Sequence, residues 1–439
     1  MLKVLIDMNN LRKILVLALS LMLFVSFNLQ FKSVSAGTFK KLSLPSSSLP
    51  MGIVYNPYNS MVYVALCRTG QLAEINKTSL SYVLYDIACG ACIITLDSYG
   101  NVWVTPKSYG NSIIAKFDIA TKQVQYIELG TNNESNCLTF HNGYIWVGVR
   151  QIIQETGVGK AILLKVNPID NVVVNSYVLS VPEFCPEFNG YIEFIPFFMK
   201  GYENELWISL LNKPPEFEGF EGRVVMFDIL NEDVTIVTPF DRPLGIDVDS
   251  DYVYVAEATW SPRLISIDPY ILVGDVGLIN KRDLSVKKIA VRVYCEGPFS
   301  VYKDSNGYVW YLTSAVAGIV DVANLKSGYV WGPWAEPVPP IYNFFMTEVP
   351  FQSALIGDYS EVWFSGAGSA YVSMKDTILS YADLNIDGII DVKDVSRVAK
   401  AFGSYEGSAN WDVKCDIDKN GKVDVKDVSS VAKNFGKTI

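Results

Sequence analysis

Two stretches near the C-terminus place oxygen-bearing side chains at alternate positions around a glycine. The first reads Asp383-Leu384-Asn385-Ile386-Asp387-Gly388-Ile389-Ile390-Asp391-Val392-Lys393-Asp394. The second, 33 residues on, reads Asp416-Ile417-Asp418-Lys419-Asn420-Gly421-Lys422-Val423-Asp424-Val425-Lys426-Asp427. Oxygens at positions 1, 3 and 5 converge because the glycine at position 6 permits a sharp turn. These are Asp383, Asn385 and Asp387 in one loop, and Asp416, Asp418 and Asn420 in the other. Position 7 gives a backbone carbonyl, from Ile389 and Lys422. Position 9, Asp391 or Asp424, acts through water, and position 12, Asp394 or Asp427, closes the shell. That chemistry is calcium binding, with two ions expected. A single acidic turn is a common surface feature; two at one register are not.

The elements that must hold these loops are helices. Each loop runs straight into Val-Ser-x-Val-Ala-Lys-x-Phe-Gly, which predicts helices over 392–402 and 425–435, each closed by glycine. Val395, Val398 and Phe402, and their counterparts Val428, Val431 and Phe435, lie near helical spacing and should bury against each other. No helix enters either loop. Paired loop–helix repeats with Asp at position 12 resemble a type I dockerin over residues 381–439. The resemblance implies docking onto a cohesin-like partner. It also implies that positions 10 and 11 select that partner, here Val392, Lys393, Val425 and Lys426, where the usual Ser-Thr pair is absent. Their identity in both repeats leaves two pseudo-symmetric binding modes open. The bland alternative is that the module braces the rest of the chain.

Upstream, one phrase recurs: an apolar strand, a Gly/Asn/Asp/Ser turn, then a strand centred on an aromatic. Its centres are Tyr63, Trp103, Trp146, Trp207, Tyr254, Trp310 and Trp363, spaced 40, 43, 61, 47, 56 and 53 residues apart. Two further strands follow most copies. Units of about four strands have the period of a propeller blade, and radial packing buries faces that a lone sheet leaves exposed. Seven copies predict an all-β seven-bladed propeller, with the aromatics packed between blades. The strand near residues 39–44 should complete the last blade.

Pro243-Leu244-Gly245-Ile246-Asp247, followed by Val253-Tyr254-Val255-Ala256-Glu257, resembles a blade of the streptogramin (virginiamycin B) lyase family. So does Asp97-Ser98-Tyr99-Gly100-Asn101-Val102-Trp103-Val104-Thr105. The resemblance covers roughly residues 45–380. It implies a magnesium-dependent lyase fold whose general base is a histidine on a loop of the top face. This chain has one histidine, His141, in a hairpin turn, so the lyase chemistry does not carry over. With one imidazole, His-His zinc sites are excluded as well.

The rim of the propeller offers other groups. Loops that lead into the innermost strands and follow the second strands hold Arg68, Arg150, Arg242, Glu257, Trp260, Arg263, Glu296 and the acidic insertion 214–221. A ligand is expected on this face, with Trp260 as an exposed stacking platform and Glu257 and Arg263 as polar partners. Polysaccharide or cell-surface glycan is the class considered. Nothing in the spacing selects a catalytic pair, so no catalytic residue is assigned. Of seven cysteines, Cys67, Cys89, Cys92 and Cys137 are expected to include a disulfide, and Cys185, Cys295 and Cys415 to be buried thiols.

Arg12-Lys13, the apolar run 14–27 and Val34-Ser35-Ala36 read as a secretory signal peptide cleaved after residue 36, or else as a retained anchor. Half of the 439 residues are hydrophobic and 19% charged, which excludes a disordered chain. A net charge of -10 argues against nucleic-acid binding. The expected organisation is a signal peptide at 1–36, a propeller at 37–380 and an all-α dockerin-like domain at 381–439. Function follows as a secreted binding or surface-assembly protein. The alternatives are a polysaccharide lyase, a glycoside hydrolase, or a streptogramin-lyase-like enzyme delivered by its dockerin.

Overall fold

Strands such as Met61–Leu66 carry apolar residues on both faces, so they need cover on both sides, and neighbouring sheets supply it. The computed structural model describes residues 40–439 apart from 46–47, 49, 88–90, 107–111, 186–189, 214–221, 258–271, 294–297, 304–308, 313–316, 323–325, 331–354, 357–360, 367–370, 377–381, 386–388, 406, 419 and 438–439. The signal-peptide segment lies outside them. Among the described residues no helix is long and apolar enough to cross a membrane.

The described strands form seven antiparallel sheets, six of four strands and one of five. The first runs Pro50–Asn56, Met61–Leu66, Gln71–Asn76, Tyr82–Asp86, and the others repeat this meander. Innermost strands pack in chain order: Pro50–Asn56 on Ala91–Leu96, then Asn133–His141, Gly190–Tyr202, Pro243–Val248 and Ser300–Lys303. The last sheet returns to the first, with Leu355–Ile356 and Glu361–Gly366 against Pro50–Asn56. This is a β-propeller.

Among the described residues, second strands such as Met61–Leu66 are buried almost throughout, whereas the outer strand Tyr82–Asp86 mixes half-buried and exposed positions. Tyr63, Trp103, Trp146, Trp207, Tyr254 and Trp310 are all at most 2% exposed, as inter-sheet packing requires. The side chain of Trp363 lies outside the described residues. The N-terminal strand Lys40–Ser43 pairs antiparallel with Tyr371–Asp376, from Lys40 opposite Met374 to Ser43 opposite Tyr371. It thus becomes the outer strand of the last sheet, as the sequence indicated. One strand was not foreseen: Glu183–Cys185 pairs with the start of Gly190–Tyr202 and gives the fourth sheet its fifth strand.

In the C-terminal module, α1 (Val392–Ala401) and α2 (Val425–Ala432) follow the two acidic loops, with a 3-10 turn at Val413–Cys415. Asp391 and Asp424 are their N-caps. Ala382, Leu384, Ile390, Val398, Ala401, Cys415, Val423 and Val431 form the core. Val398 and Val431 are buried as expected, but Phe402 and Phe435 are 53% and 38% exposed. The helices end short of both rings. Phe402 has already left helical geometry, with φ -55 and ψ 133, so helical spacing no longer governs where it points.

Candidate functional site

The acidic loops are organised around their twelfth residues. Asp394 and Asp427 have no solvent exposure. Asp427 Oδ1 accepts from the amides of Ile417 (2.7 Å) and Asp418 (3.1 Å), and Oδ2 from that of Asp424 (2.7 Å). Asp394 repeats this with Asn385 (3.0 Å) and Asp391 (2.8 Å). Each carboxylate therefore belongs to the capping box of the helix behind it and also ties the loop's beginning to its end. In the second loop, Asp416 accepts from Asn420 (3.1 Å) and Gly421 (2.9 Å), and Gly421 has φ +84, which suits glycine.

Charge gathers where these bonds leave oxygens facing inward. Asp416, Asp418 and Asp427 each bring one carboxylate oxygen to within 4.8 Å of the others. Burial, with the nearby charges of Asp427 and Asp418, holds the Asp416 carboxyl above its ordinary value against the backbone amides that favour the anion. In the first loop, Oδ1 and Nδ2 of Asn385 are buried without a hydrogen-bond partner among the described residues. An unpartnered buried oxygen at position 3 fits a site built to hold a hard cation. Asp387 lies outside the described residues. The side chains of Ile389 and Lys422 are exposed, consistent with a contribution through their carbonyls alone. At the helix starts, Val392 and Val425 are each 66% exposed beside exposed Lys393 and Lys426, so the two repeats present matching apolar and basic pairs.

On the propeller, the end of the blades opposite His141 holds a buried ion cluster. Arg150 donates to Glu193 through Nε (2.5 Å) and Nη2 (2.9 Å), and to Glu134 through Nη1 (3.1 Å). It is 7% exposed, so this arginine is a tie between the third and fourth sheets rather than a rim cation. Glu257 is likewise only 1% exposed. It closes a second strand, opposite Pro243 and Asp275, and its Oε1 accepts from Lys288 (2.5 Å) and the Asp241 amide (2.9 Å). Burial raises its carboxyl above the ordinary value despite Lys288, and Oε2 is buried without a partner among the described residues. Glu257 therefore does not sit on an open rim. Trp260, Arg263, Glu296 and the 214–221 insertion lie outside the described residues.

His141 ends an innermost strand, with its ring over Gly201 and its Nε2 2.7 Å from the Glu203 carbonyl. A carbonyl only accepts, so Nε2 carries the proton. The Trp146 indole in turn donates to the His141 carbonyl at 3.1 Å. This imidazole joins two blades at their turn end.

No protein-family model and no curated protein matches the sequence. Solved structures do. Virginiamycin B lyase from Staphylococcus aureus aligns at 15% identity over 78% of this chain and 99% of its own, with a TM-score of 0.56. A streptogramin B lyase aligns at 15% identity over 77% and 97%, TM-score 0.54. Hydrazine synthase from Kuenenia stuttgartiensis aligns at 12% identity over 79% and 99%, TM-score 0.58. The shared property is the β-propeller. At such identities the likeness carries architecture and no activity.

Within that propeller, sequence reasoning missed a set of ties between blades. Glu74 accepts from Tyr63 (2.7 Å), Tyr85 (2.8 Å) and, from the next sheet, Lys122 (2.7 Å). Lys281 bridges to Glu205 at 2.8 Å, and Lys303 pairs with Asp249, which also accepts from Tyr254 (2.7 Å). Lys116 reaches the Pro168 carbonyl at 2.8 Å. A lysine four or five strands from its carboxylate gives no local signal. The expected disulfide is also corrected in part. Cys137 is a free, fully buried thiol, and burial pushes it up to about 12. Cys185 and Cys415 are buried thiols as expected. Cys89, Cys295 and the side chain of Cys92 lie outside the described residues.

Proposed function

We propose that this chain is a secreted binding or surface-assembly protein. Its seven sheets close as the blades of one propeller, which carries the ligand site, and a dockerin-like module holds two calcium ions and docks onto a cohesin-like partner. The observation that carries it is the pair of loops at one register, each with a fully buried acidic twelfth residue. In the second loop, carboxylates crowded within 4.8 Å repel one another, and a divalent cation would relieve that repulsion; in the first, a second cation would satisfy the Asn385 oxygen. Asp383, Asn385, Asp387, Ile389, Asp391 and Asp394 would hold one ion, and Asp416, Asp418, Asn420, Lys422, Asp424 and Asp427 the other. The matched exposed pairs Val392-Lys393 and Val425-Lys426 suit a partner that accepts either repeat.

Calcium titration of the full chain by calorimetry tests the metal assignment, with two ions per chain expected. Capture of a surface protein that requires calcium and is lost on Val392→Asp plus Val425→Asp tests the docking. Calcium-independent capture would refute it. A propeller ligand, polysaccharide or cell-surface glycan, remains part of the proposal, with Trp260 and Arg263 as its candidate contacts. The lyase chemistry of the structural neighbours is not extended to this chain. Its one imidazole is committed to a backbone carbonyl between blades.

A further inference from the structure

Each acidic loop is joined by backbone to the segment just past the other repeat's helix. Ile390, at position 8 of the first loop, donates to the Lys437 carbonyl (2.9 Å) and accepts from the Gly436 amide (2.7 Å), just past α2. Val423, at position 8 of the second, donates to Ser404 (2.9 Å) and accepts from Gly403 (2.8 Å), just past α1. Each loop is thus clamped by the end of the other repeat's helix. The clamped residues directly follow Ile389 and Lys422, whose carbonyls are the proposed position 7 ligands.

One side chain breaks the symmetry. Arg397, on α1, donates through Nη1 to the Leu384 carbonyl at position 2 of the first loop. Its Nε donates to Asp412 at 3.0 Å. Asp412 caps the 3-10 turn Val413–Cys415, accepting from Lys414 at 3.1 Å, and that turn delivers Asp416, the first residue of the second loop. The equivalent residue of the second repeat is Ser430, whose hydroxyl donates to Lys426 within its own helix at 2.8 Å.

We propose that the two loops act as one coupled cation-binding unit, and that Arg397 is the positioning residue that links the order of the first loop to the start of the second. This rests on the calcium assignment above. Arg397 acts through the chain rather than as a ligand. It fixes the backbone from which Asp383 and Asn385 project, and it holds the turn from which Asp416 projects. Ordering either loop then lowers the cost of ordering the other, and the effect is reciprocal. Groups that orient metal ligands typically change affinity by about 10–100-fold when removed.

The test is calcium calorimetry on the full chain with Arg397→Gln, Arg397→Lys and Ser430→Ala. Arg397→Gln is expected to weaken both ions by about tenfold or more. Arg397→Lys, which reaches one of the two partners, should recover part of that loss. Ser430→Ala should match wild type. Asp412→Asn preserves the cap while removing the charge, so it is the second route if Arg397→Gln fails to fold; it should weaken both ions in the same direction. Arg397→Gln binding both ions at wild-type affinity, or losing affinity for one ion only, overturns the coupling and leaves the calcium assignment standing. A wild-type chain that binds no calcium overturns both.

Discussion

Glu74 and Glu257 are both buried carboxylates with a lysine partner, and they respond to pH with opposite sign. Burial pushes the Glu74 carboxyl up, but Lys122, Tyr63 and Tyr85 together bring it below the ordinary value. Its folded pKa is below its unfolded one, so its contribution is complete above the usual carboxylate value of about 4.3 and is lost as pH falls through the folded pKa. Glu257 is raised, chiefly by burial, so its contribution is complete below the usual value and declines as pH rises through the folded pKa. Thermal melting between pH 6 and pH 3 should show an acid-side loss of stability that Glu74→Gln flattens; an unchanged acid slope would remove Glu74 from this role. At Gly201, an added methyl would overlap the His141 ring. Gly201→Ala should cost about 1–3 kcal/mol in denaturant unfolding. Adding His141→Ala should return part of it, because the smaller side chain clears the space.

In the loop–helix unit the acidic residues are structural in their own right. Asp427 gathers three amides from Ile417, Asp418 and Asp424, and no solvent reaches it. A net stabilisation of about 1 kcal/mol per bond is enough to speed local opening several-fold when the carboxylate goes. Asp427→Ala should therefore raise hydrogen exchange at these three amides by about tenfold or more even in EDTA. Exchange unchanged in EDTA would make Asp427 a ligand only. In wild type, calcium should slow exchange across residues 416–427, and chelation should restore it, because an ion that binds only the ordered loop stabilises it by mass action.

For the whole molecule, the decisive feature is that the last sheet takes its outer strand from the start of the chain. Deleting residues 40–43 exposes the edge of Tyr371–Asp376, and an unpaired strand edge recruits other chains. The expected outcome is a melting temperature lower by several degrees with a rise in light scattering, both reversed by a peptide of residues 37–44. An unchanged melt would mean that this pairing does not hold the sheets together. Much of this architecture was legible in one dimension. The aromatic centres repeat because blades need the same wedge, and the acidic loops repeat one residue pattern at one spacing, as the proposed calcium coordination would require. Turn residues and strand periodicity are local, so the meander, the N-terminal strand's partner and both helices could be read from the chain. The helix ends could not, since Phe402 and Phe435 fall where backbone geometry changes and spacing loses its meaning. Nor could the burial of Arg150 and Glu257, whose type and loop-end positions suggested an open rim. Their partners Glu193 and Lys288 lie on other strands, 43 and 31 residues away. Sequence determined what repeats within about one blade. Only the tertiary structure decided which charges meet across blades, because such pairs form when distant strands close on each other and leave no local pattern behind.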